Sequence, residues 1–279
     1  MPEFPEIATR TREMKTALVG KRIAEIEVLQ PKCLNIPVED FAMALKGARI
    51  LDATQRGKWI LTETSQGWLL LNLGMGGEIL LVTRSSMPEK YRLAFDFDDQ
   101  TCLAVNFWWF GYAHYAAPFE LAGHAMTARL GPNAYGLTAD DLRRLFKGQR
   151  QQIKSFLLNQ SQVAGIGNAY IHDILFLARL HPLRKINTLA DCEVEALAKA
   201  IEAGLKPSLD QGGAFYEINL YGQKGGFSFD QILIGYREGE PCPACSTPIV
   251  KIKTGSTSGF ICPQCQPETA PFQDPIQAG

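Results

Sequence analysis

The feature that most constrains the fold is a set of four cysteines near the C-terminus. Cys242-Pro243-Ala244-Cys245 is followed after 16 residues by Cys262-Pro263-Gln264-Cys265. Two Cys-x-x-Cys pairs at this separation let four thiolates surround one Zn²⁺ tetrahedrally, with a short β-hairpin between them. No open coordination position is indicated, so the sequence predicts one structural Zn²⁺ held by Cys242, Cys245, Cys262 and Cys265. A redox-active dithiol pair and an iron site are the alternatives.

The composition is that of an ordinary globular protein. The 279 residues carry 28 Lys and Arg against 29 Asp and Glu, and this net charge of −1 excludes a protein that binds polyanions through bulk charge. No apolar run approaches the roughly 18 residues of a membrane span, and residues 1–6 have carboxylates where a secretory signal carries basic residues. We therefore expect a cytoplasmic protein, nucleoid-associated if it is bacterial, that contacts no membrane. In that compartment the remaining cysteines, Cys33, Cys102 and Cys192, are expected to be buried small hydrophobes.

The first 130 residues are predicted to form one helix followed by a β-sandwich or barrel. Pro5 suits the first turn of a helix, apolar residues recur at near-helical spacing up to Leu18, and Gly20 offers a stop. Because short strands at regular spacing are typical of sandwiches and barrels, these residues are interpreted as one domain. The Gly- and Pro-containing stretch 130–136 is the predicted linker. The β-type runs are 23–28, 59–64, 68–73, 78–82, 91–97 and 102–107.

Helices dominate residues 131–225. Thr138 and Asp141 form a capping-box pattern at the start of a helix, and the glycine turn at 163–168 between two later helices is typical of a helix-turn-helix. The apolar residues of 211–226 follow no helical or strand period, which predicts a mobile loop. The composition of residues 268–279 predicts a disordered tail. The later helices are predicted over 151–159, 169–178 and 191–205.

The charge is not evenly divided along the chain. Residues 1–142 carry 14 basic and 17 acidic side chains, whereas residues 143–265 carry 14 and 10. The second half is therefore the favoured polyanion face, and a random difference between two solvated surfaces is the alternative.

Pro2 is the second feature that carries chemistry. Methionine aminopeptidase removes Met1 before a small residue, which leaves Pro2 as a free secondary amine. An α-amino group has a pKa near 8, so a neutral fraction exists at physiological pH, and its adduct with an aldehyde carbon is a cationic iminium. Many chains begin with Met-Pro, so this feature alone indicates no function.

Pro2 is accompanied by motifs in a characteristic order. They are Pro2-Glu3-Phe4-Pro5-Glu6-Ile7, Arg56-Gly57-Lys58-Trp59, Leu73-Gly74-Met75-Gly76-Gly77, Gln160-Ser161-Gln162-Val163-Ala164-Gly165-Ile166-Gly167-Asn168 and the four-cysteine terminus. Together they span residue 2 to about residue 266, and the chain resembles the formamidopyrimidine-DNA glycosylase and endonuclease VIII family.

The resemblance implies an α+β multidomain enzyme of base-excision repair. Its domains are expected to be an N-terminal helix and β-sandwich over 1–130, a helix-two-turn-helix domain over 131–225, and a zinc-finger β-hairpin over 226–267. The expected partner of this monomeric protein is damaged DNA, from which the damaged nucleotide is flipped out of the duplex.

The family mechanism assigns roles to individual residues of this chain. The Pro2 nitrogen attacks C1′ of the damaged nucleotide, and Glu3 assists ring opening and proton transfer. Lys58 contacts the phosphate near the lesion, and Glu6 anchors the N-terminus. Base loss followed by β- and δ-elimination makes this a DNA glycosylase with AP lyase activity.

The resemblance also implies a set of DNA-contacting residues. Asn168 matches a phosphate-contacting asparagine at a helix N-terminus, and Lys154 is expected to add a phosphate contact. Met75 and Phe110 match side chains that fill the gap left by the flipped base and wedge the opposite strand. The predicted set is completed by Asn72, Trp109 and Tyr221.

The chain departs from the family pattern at DNA-facing positions. Asn72 replaces a phosphate-binding His, Trp108-Trp109 replaces Arg-Arg, and Thr257 replaces the zinc-finger Arg, while Asp173 and Ala8 stand where Glu is usual. Losing phosphate partners weakens duplex binding, whereas paired tryptophans favour stacking on unpaired bases. We therefore expect a preference for lesions in single-stranded, bubble or crosslinked DNA.

Two other functions remain open from the sequence. A non-catalytic damaged-DNA-binding protein of the same fold would keep the zinc site, and an RNA-binding zinc-ribbon protein would keep the cysteines without needing the N-terminal motif. Retention of Pro2, Glu3 and Lys58 favours the enzyme, because binding alone has no need of a free amine beside a carboxylate.

Overall fold

A computed structural model of the protein describes residues 1–108, 110–255 and 257–268. Contacts divide the chain into two units. Unit 1 comprises Met1–Leu130 and Ser208–Phe227, and unit 2 comprises Gly131–Pro207 with the described residues from Ser228 onward. This division differs from the expected domains, because residues 208–225, which the sequence assigned to the helical domain, are grouped with unit 1. Apart from Glu268, the predicted disordered tail lies outside the described residues.

Unit 1 begins with helix α1, which spans Phe4–Leu18. Pro5 lies in its first turn, where the missing N–H would have no helical partner. The backbone N–H of Glu3 donates a hydrogen bond of 2.8 Å to the Glu6 carboxylate, as in a capping box. The apolar side of the helix is buried through Ile7, Met14 and Leu18. The helix predicted from the sequence is confirmed.

Two four-stranded antiparallel sheets make up most of unit 1. One has the strand order β1-β6-β7-β5 and the other β2-β3-β4-β8, and a single apolar cluster contains side chains of both sheets and of α1. The predicted β-sandwich is confirmed. The strands are β1 (Ile23–Val28), β2 (Ile50–Arg56), β3 (Trp59–Thr64), β4 (Gly67–Asn72), β5 (Glu78–Thr83), β6 (Leu93–Phe97), β7 (Thr101–Asn106) and β8 (Tyr112–Ala116), with helix α2 (Val38–Leu45) between β1 and β2.

Strands β2 and β8 were not predicted, and both are edge strands of the same sheet. Several residues of these strands have only a weak or ordinary preference for the strand conformation. Strand β2 contains Asp52 and Gln55, and strand β8 contains two alanines and His114. Their conformation comes from pairing with β3 and β4, for example Leu69 opposite Tyr115. Local sequence preference therefore understates the extent of this sheet.

Unit 2 contains the helical region and the cysteine hairpin. The capping box is present as predicted, because the Thr138 N–H donates to Asp141 Oδ2 at 2.9 Å and the Asp141 N–H donates to Thr138 Oγ1 at 3.2 Å. The elements are α3 (Ala139–Phe146), α4 (Ile153–Leu158), α5 (Ile171–Leu177), α6 (Asp191–Asp210), β9 (Val250–Thr254) and β10 (Thr257–Ile261), and the last three residues of α6 are grouped with unit 1. Helices α4 and α5 are shorter than predicted, and α6 is longer because it continues through Pro207. Short 3₁₀ helices occupy Pro31–Cys33, Arg84–Ser86, Leu121–Gly123, Ile186–Thr188 and Phe229–Gln231.

The segment Ser208–Phe227 returns the chain to unit 1. Leu220 is fully buried in the sandwich core, and its carbonyl accepts a hydrogen bond of 2.8 Å from the Leu81 N–H. Residues 211–226 form no helix or strand, as expected, but the predicted mobile loop is hydrogen-bonded along its length. Phe215 donates to the Phe227 carbonyl, and Gly225 donates to the Glu217 carbonyl.

The burial of the isolated cysteines agrees only in part with expectation. Cys33 and Cys102 are buried, but Cys192 is exposed. The prediction for Cys192 was wrong because this residue lies at the start of α6, which begins on the protein surface. In the described part of the chain, no helix combines the length and the apolar character needed to cross a bilayer.

Candidate functional site

The four cysteines of the predicted metal site converge in unit 2. Their Sγ atoms all lie within 4.8 Å of one another, with 3.8 Å between Cys242 and Cys265 and 3.4 Å between Cys245 and Cys262. A tetrahedral ZnS₄ centre with Zn–S bonds of about 2.3 Å has S–S edges of about 3.8 Å. The donor set and its spacing therefore fit one structural Zn²⁺.

The hairpin β9–β10 connects the two cysteine pairs and is packed on helix α5. Backbone N–H groups of Ala244 and Cys265 point at the Sγ atoms of Cys242 and Cys262, each at 3.4 Å. Such N–H groups stabilise thiolate ligands. The apolar side chains beneath the cysteines are Phe176, Ile234, Ile249 and Phe260. Cys242 and Cys262 belong both to this small core and to the four-cysteine site.

The predicted catalytic residues lie together at the N-terminal end of unit 1. Pro2 and Glu3 are buried, and Lys58 Nζ lies 3.9 Å from Met1 Sδ. The turn between β2 and β3 that carries Lys58 is joined to helix α1 by Gln55, whose amide donates to the Phe4 carbonyl at 3.2 Å. With Met1 present the Pro2 nitrogen is a peptide nitrogen, so a free amine at Pro2 requires removal of Met1.

Glu6 binds the N-terminal segment to the returning segment of unit 1. Besides the Glu3 N–H, its carboxylate accepts hydrogen bonds from the Ala214 N–H at 3.1 Å and from the Ser208 hydroxyl at 3.3 Å. This arrangement agrees with the expectation that Glu6 anchors the N-terminus. Sequence reasoning missed a further residue here, Glu217, whose carboxylate lies 3.8 Å from the Met1 nitrogen.

Asn72 has an internal role in the structure. Its side-chain amide donates to the Lys58 carbonyl at 3.1 Å, and its Oδ1 accepts from the Gly74 N–H at 3.0 Å. Both polar groups of this predicted DNA-contacting side chain are therefore engaged within unit 1. Asn72 holds the Lys58 turn against the loop that carries Met75.

Met75 and Phe110, the predicted gap-filling and wedging residues, lie on two loops in contact. About half of each side chain is exposed. Gly74 has φ +55 and approaches Phe110 so closely that a Cβ at Gly74 would overlap the Phe110 carbonyl. Trp108, 69% exposed, lies over Gly76. Trp109, another predicted DNA-contacting residue, lies outside the described residues.

In unit 2 the predicted phosphate contact Asn168 precedes helix α5 by three residues rather than beginning it. Its Nδ2 donates to the hydroxyl of Tyr236 at 3.3 Å, and the Tyr236 hydroxyl lies at the same distance from the Asn168 carbonyl. Asp173 positions the neighbouring backbone, because its buried carboxylate accepts N–H hydrogen bonds from three consecutive residues: Leu233, Ile234 and Gly235. Tyr236 follows directly, and sequence reasoning missed it.

Lys154 does not face solvent as a phosphate contact would. Only 2% of the residue is exposed, and its ammonium donates to Thr254 Oγ1 at 2.8 Å, to Thr257 Oγ1 at 3.1 Å and to the Ser258 carbonyl. Burial lowers the pKa of Lys154 to about 8. In this structure Lys154 joins α4 to the cysteine hairpin.

Tyr221, the last of the predicted DNA-contacting residues, is 55% exposed on the returning segment of unit 1. Its backbone N–H donates to Asn219 Oδ1 at 2.9 Å, which fixes the turn but leaves the ring on the surface.

Comparison with known proteins identifies consecutive parts of the chain. Residues 1–106 match the formamidopyrimidine-DNA glycosylase N-terminal domain, residues 130–219 match the formamidopyrimidine-DNA glycosylase H2TH domain, and residues 239–267 match a zinc finger found in FPG and IleRS.

Individual relatives match over nearly the whole length. The chain is similar to the formamidopyrimidine-DNA glycosylase of Gluconobacter oxydans, with 35% identity over 277 residues that cover 95% of this chain and 100% of the relative. The enzyme of the same name from Symbiobacterium thermophilum is 34% identical over 273 residues, covering 96% and 90%. The structure of Lactococcus lactis Fpg in complex with abasic-site-containing DNA has a TM-score of 0.87 at 27% identity, covering 95% of this chain and 99% of that chain. The chain therefore belongs to the formamidopyrimidine-DNA glycosylase family.

Proposed function

We propose that this chain is a base-excision-repair DNA glycosylase with AP lyase activity, and that Pro2, freed by removal of Met1, is its nucleophile. The observation that carries the proposal is the arrangement around the N-terminus, where Lys58 Nζ reaches Met1 and Glu3 lies buried just before α1. The Lactococcus relative was solved with DNA that contains an abasic site, and such a site is the substrate on which the lyase step acts.

The proposed chemistry uses groups of unit 1. A neutral Pro2 nitrogen attacks C1′ of the damaged nucleotide while the glycosidic bond breaks and the base leaves with the bonding electrons. The nitrogen then loses its remaining proton to water, and Glu3 donates a proton to O4′ as the sugar ring opens and the iminium forms. The iminium acidifies the C2′ hydrogens, so β-elimination and then δ-elimination release the two phosphates.

DNA contacts are proposed for half-buried and exposed side chains of both units. Lys58 pairs with the phosphate beside the lesion, and Asn168 binds a second phosphate. Met75 and Phe110 fill the space left by the flipped nucleotide, and the exposed ring of Tyr221 adds a contact from the returning segment. Lys154 contributes indirectly by holding the cysteine hairpin on α4.

Borohydride trapping on an abasic-site oligonucleotide tests the mechanism. We expect a covalent protein–DNA adduct with the processed protein and none with Pro2→Gly. An adduct that survives Pro2→Gly would overturn the assignment of the nucleophile. DNA binding without any adduct would support the non-catalytic alternative instead. Intact mass spectrometry establishes beforehand that Met1 is absent.

A preference for unpaired DNA is a further part of the proposed function, supported by the exposed ring of Trp108 and by the internal engagement of Asn72. An exposed indole can stack on an unpaired base, while the neutral amide of Asn72 carries no charge with which to replace a phosphate-binding cation. We expect faster cleavage of a lesion in single-stranded or bubble DNA than in a duplex. Best activity on an 8-oxoguanine:cytosine duplex would contradict this preference.

A further inference from the structure

The returning segment of unit 1 is fastened to helix α1 at two points. The Ala214 N–H donates to Glu6 at 3.1 Å, and the Leu220 N–H donates to Glu13 Oε2 at 2.9 Å. Between these points, Glu217 donates its own N–H to the Ala214 carbonyl at 2.9 Å. The backbone on both sides of Glu217 is therefore fixed relative to the start of the chain.

The Glu217 side chain lies against the N-terminal nitrogen. Its Oε1 is 3.8 Å from the Met1 nitrogen, and only 11% of the side chain is exposed. Pro2, the residue that follows Met1, is buried. When Met1 is removed, the terminal positive charge moves one residue inward to Pro2, where water solvates it less well than at an exposed terminus.

Burial and two neighbouring carboxylates favour a neutral Glu217 carboxyl, and two cations oppose them. Burial raises the pKa of Glu217, the N-terminal ammonium and Arg10 lower it, and the carboxylates of Glu6 on α1 and Glu78 on β5 raise it, so that the resulting pKa is about 7. Arg10 is itself buried and lies 3.5 Å from Glu13. The terminal nitrogen is thus the cation that most directly compensates a negative charge on Glu217.

We propose that Glu217 is the counterion of the N-terminal nitrogen of Pro2, first in its ammonium form and then in its iminium form. This inference rests on the proposed function, in which Pro2 is the nucleophile. During the reaction the ammonium loses one proton to water before attack, and it loses its second proton, also to water, as the iminium forms. The iminium nitrogen carries no hydrogen, so its charge persists until C2′ is deprotonated, and a fixed carboxylate beside it stabilises the intermediate electrostatically. Glu217 forms no covalent bond and changes no oxidation state.

Two consequences distinguish a counterion from a residue that only maintains the fold. A carboxylate beside the amine raises the pKa of the amine, so Glu217→Gln shifts the rise of the trapping rate with pH to lower pH. The same variant accumulates less trapped iminium at equal substrate turnover. A purely structural defect would lower the rate at every pH without displacing the profile.

The experiment compares processed wild type, Glu217→Gln and the exposed control Glu120→Gln. Two readouts are taken: the pH dependence of borohydride trapping on an abasic oligonucleotide, and an NMR titration of ¹⁵N-labelled Pro2 without DNA. We expect the amine pKa to fall by about one unit in Glu217→Gln, a tenfold change in its ionisation constant, and to stay unchanged in Glu120→Gln. An equal amine pKa in wild type and Glu217→Gln would overturn the inference. Failure of wild type to form any adduct would instead overturn the proposed function, because the NMR titration reports the ion pair independently.

Discussion

Lys154 Nζ lies 2.8 Å from Thr254 Oγ1, in a position where burial lowers the pKa of the lysine to about 8. An unfolded chain keeps a lysine protonated up to about pH 10.4. Between about pH 8 and 10.4 the unfolded state therefore binds more protons, so stability increases with pH across this window. We expect this increase in the free energy of unfolding to disappear in Lys154→Met.

Urea unfolding near pH 7.5 and near pH 10 gives the change in unfolding free energy between the two pH values, which is compared between wild type and Lys154→Met. Lys253→Met, which alters an exposed lysine on the same hairpin, is the control and keeps the wild-type pH dependence. An identical pH dependence in wild type and Lys154→Met would show that the buried ammonium is not the titrating group.

Substitution of one cysteine of the four-cysteine site should cause loss of the bound metal and of the structure around it. Cys245→Ser removes one of four ligands, and we expect the bound zinc to fall from about one per chain to nearly none after dialysis against a chelator. The thermal midpoint falls with it, because the same site organises the core around Phe260. Metal analysis and thermal unfolding measure both quantities. Cys192→Ser, at an exposed cysteine far from the cluster in sequence, retains the zinc, and equal zinc contents in the two variants would contradict the assignment.

Trp108→Ala tests stacking on unpaired bases. Removing this exposed indole should weaken binding to a single-stranded abasic oligonucleotide about tenfold, which is within the range of about 1–3 kcal/mol for one stacked base. Binding to the matching duplex changes less. Fluorescence anisotropy at one fixed salt concentration compares the two DNAs, with Phe119→Ala as the control because Phe119 is also exposed. A similar loss on both DNAs would rule out a selective role of Trp108.

Gly74→Ala tests the close approach of the loops that carry Met75 and Phe110. The new Cβ would lie 1.3 Å from the Phe110 carbonyl oxygen, and φ +55 is itself strained for alanine. We expect a loss of at least about 2 kcal/mol in unfolding free energy together with a displaced Phe110. Gly123→Ala, where a Cβ has open space, stays within about 0.5 kcal/mol of wild type. Denaturant titration of both variants checks the difference, and two equally stable proteins would refute it.

The sequence was most informative where chemistry is encoded by local spacing. Each Cys-x-x-Cys pair, the capping box at Thr138 and the helix that begins after Glu3 depend on residues a few positions apart, and the structure contains all of them. Strands β2 and β8 depend instead on pairing with distant partners, so their own residues give a weak signal.

The environment of the candidate site was harder to foresee for the same reason. Lys154 has the side-chain charge of a phosphate contact. It is buried instead by residues of the cysteine hairpin, which lie about 100 positions later in the sequence. Glu217 lay in a segment without periodicity, and only the fold brings it to residue 1. A contact between residues more than 200 positions apart in the sequence depends on tertiary packing, and local sequence patterns do not predict it.

The return of Ser208–Phe227 to unit 1 has a consequence for biosynthesis. The sandwich core contains Leu220, and Glu6 completes its hydrogen bonds with Ser208 and Ala214. When only the first 130 residues have left the ribosome, the nascent chain therefore lacks part of the sandwich core. The unit that holds the N-terminus can close only after residue 227 emerges, so a gene fragment ending at the first boundary should yield an aggregation-prone product rather than a small independent domain.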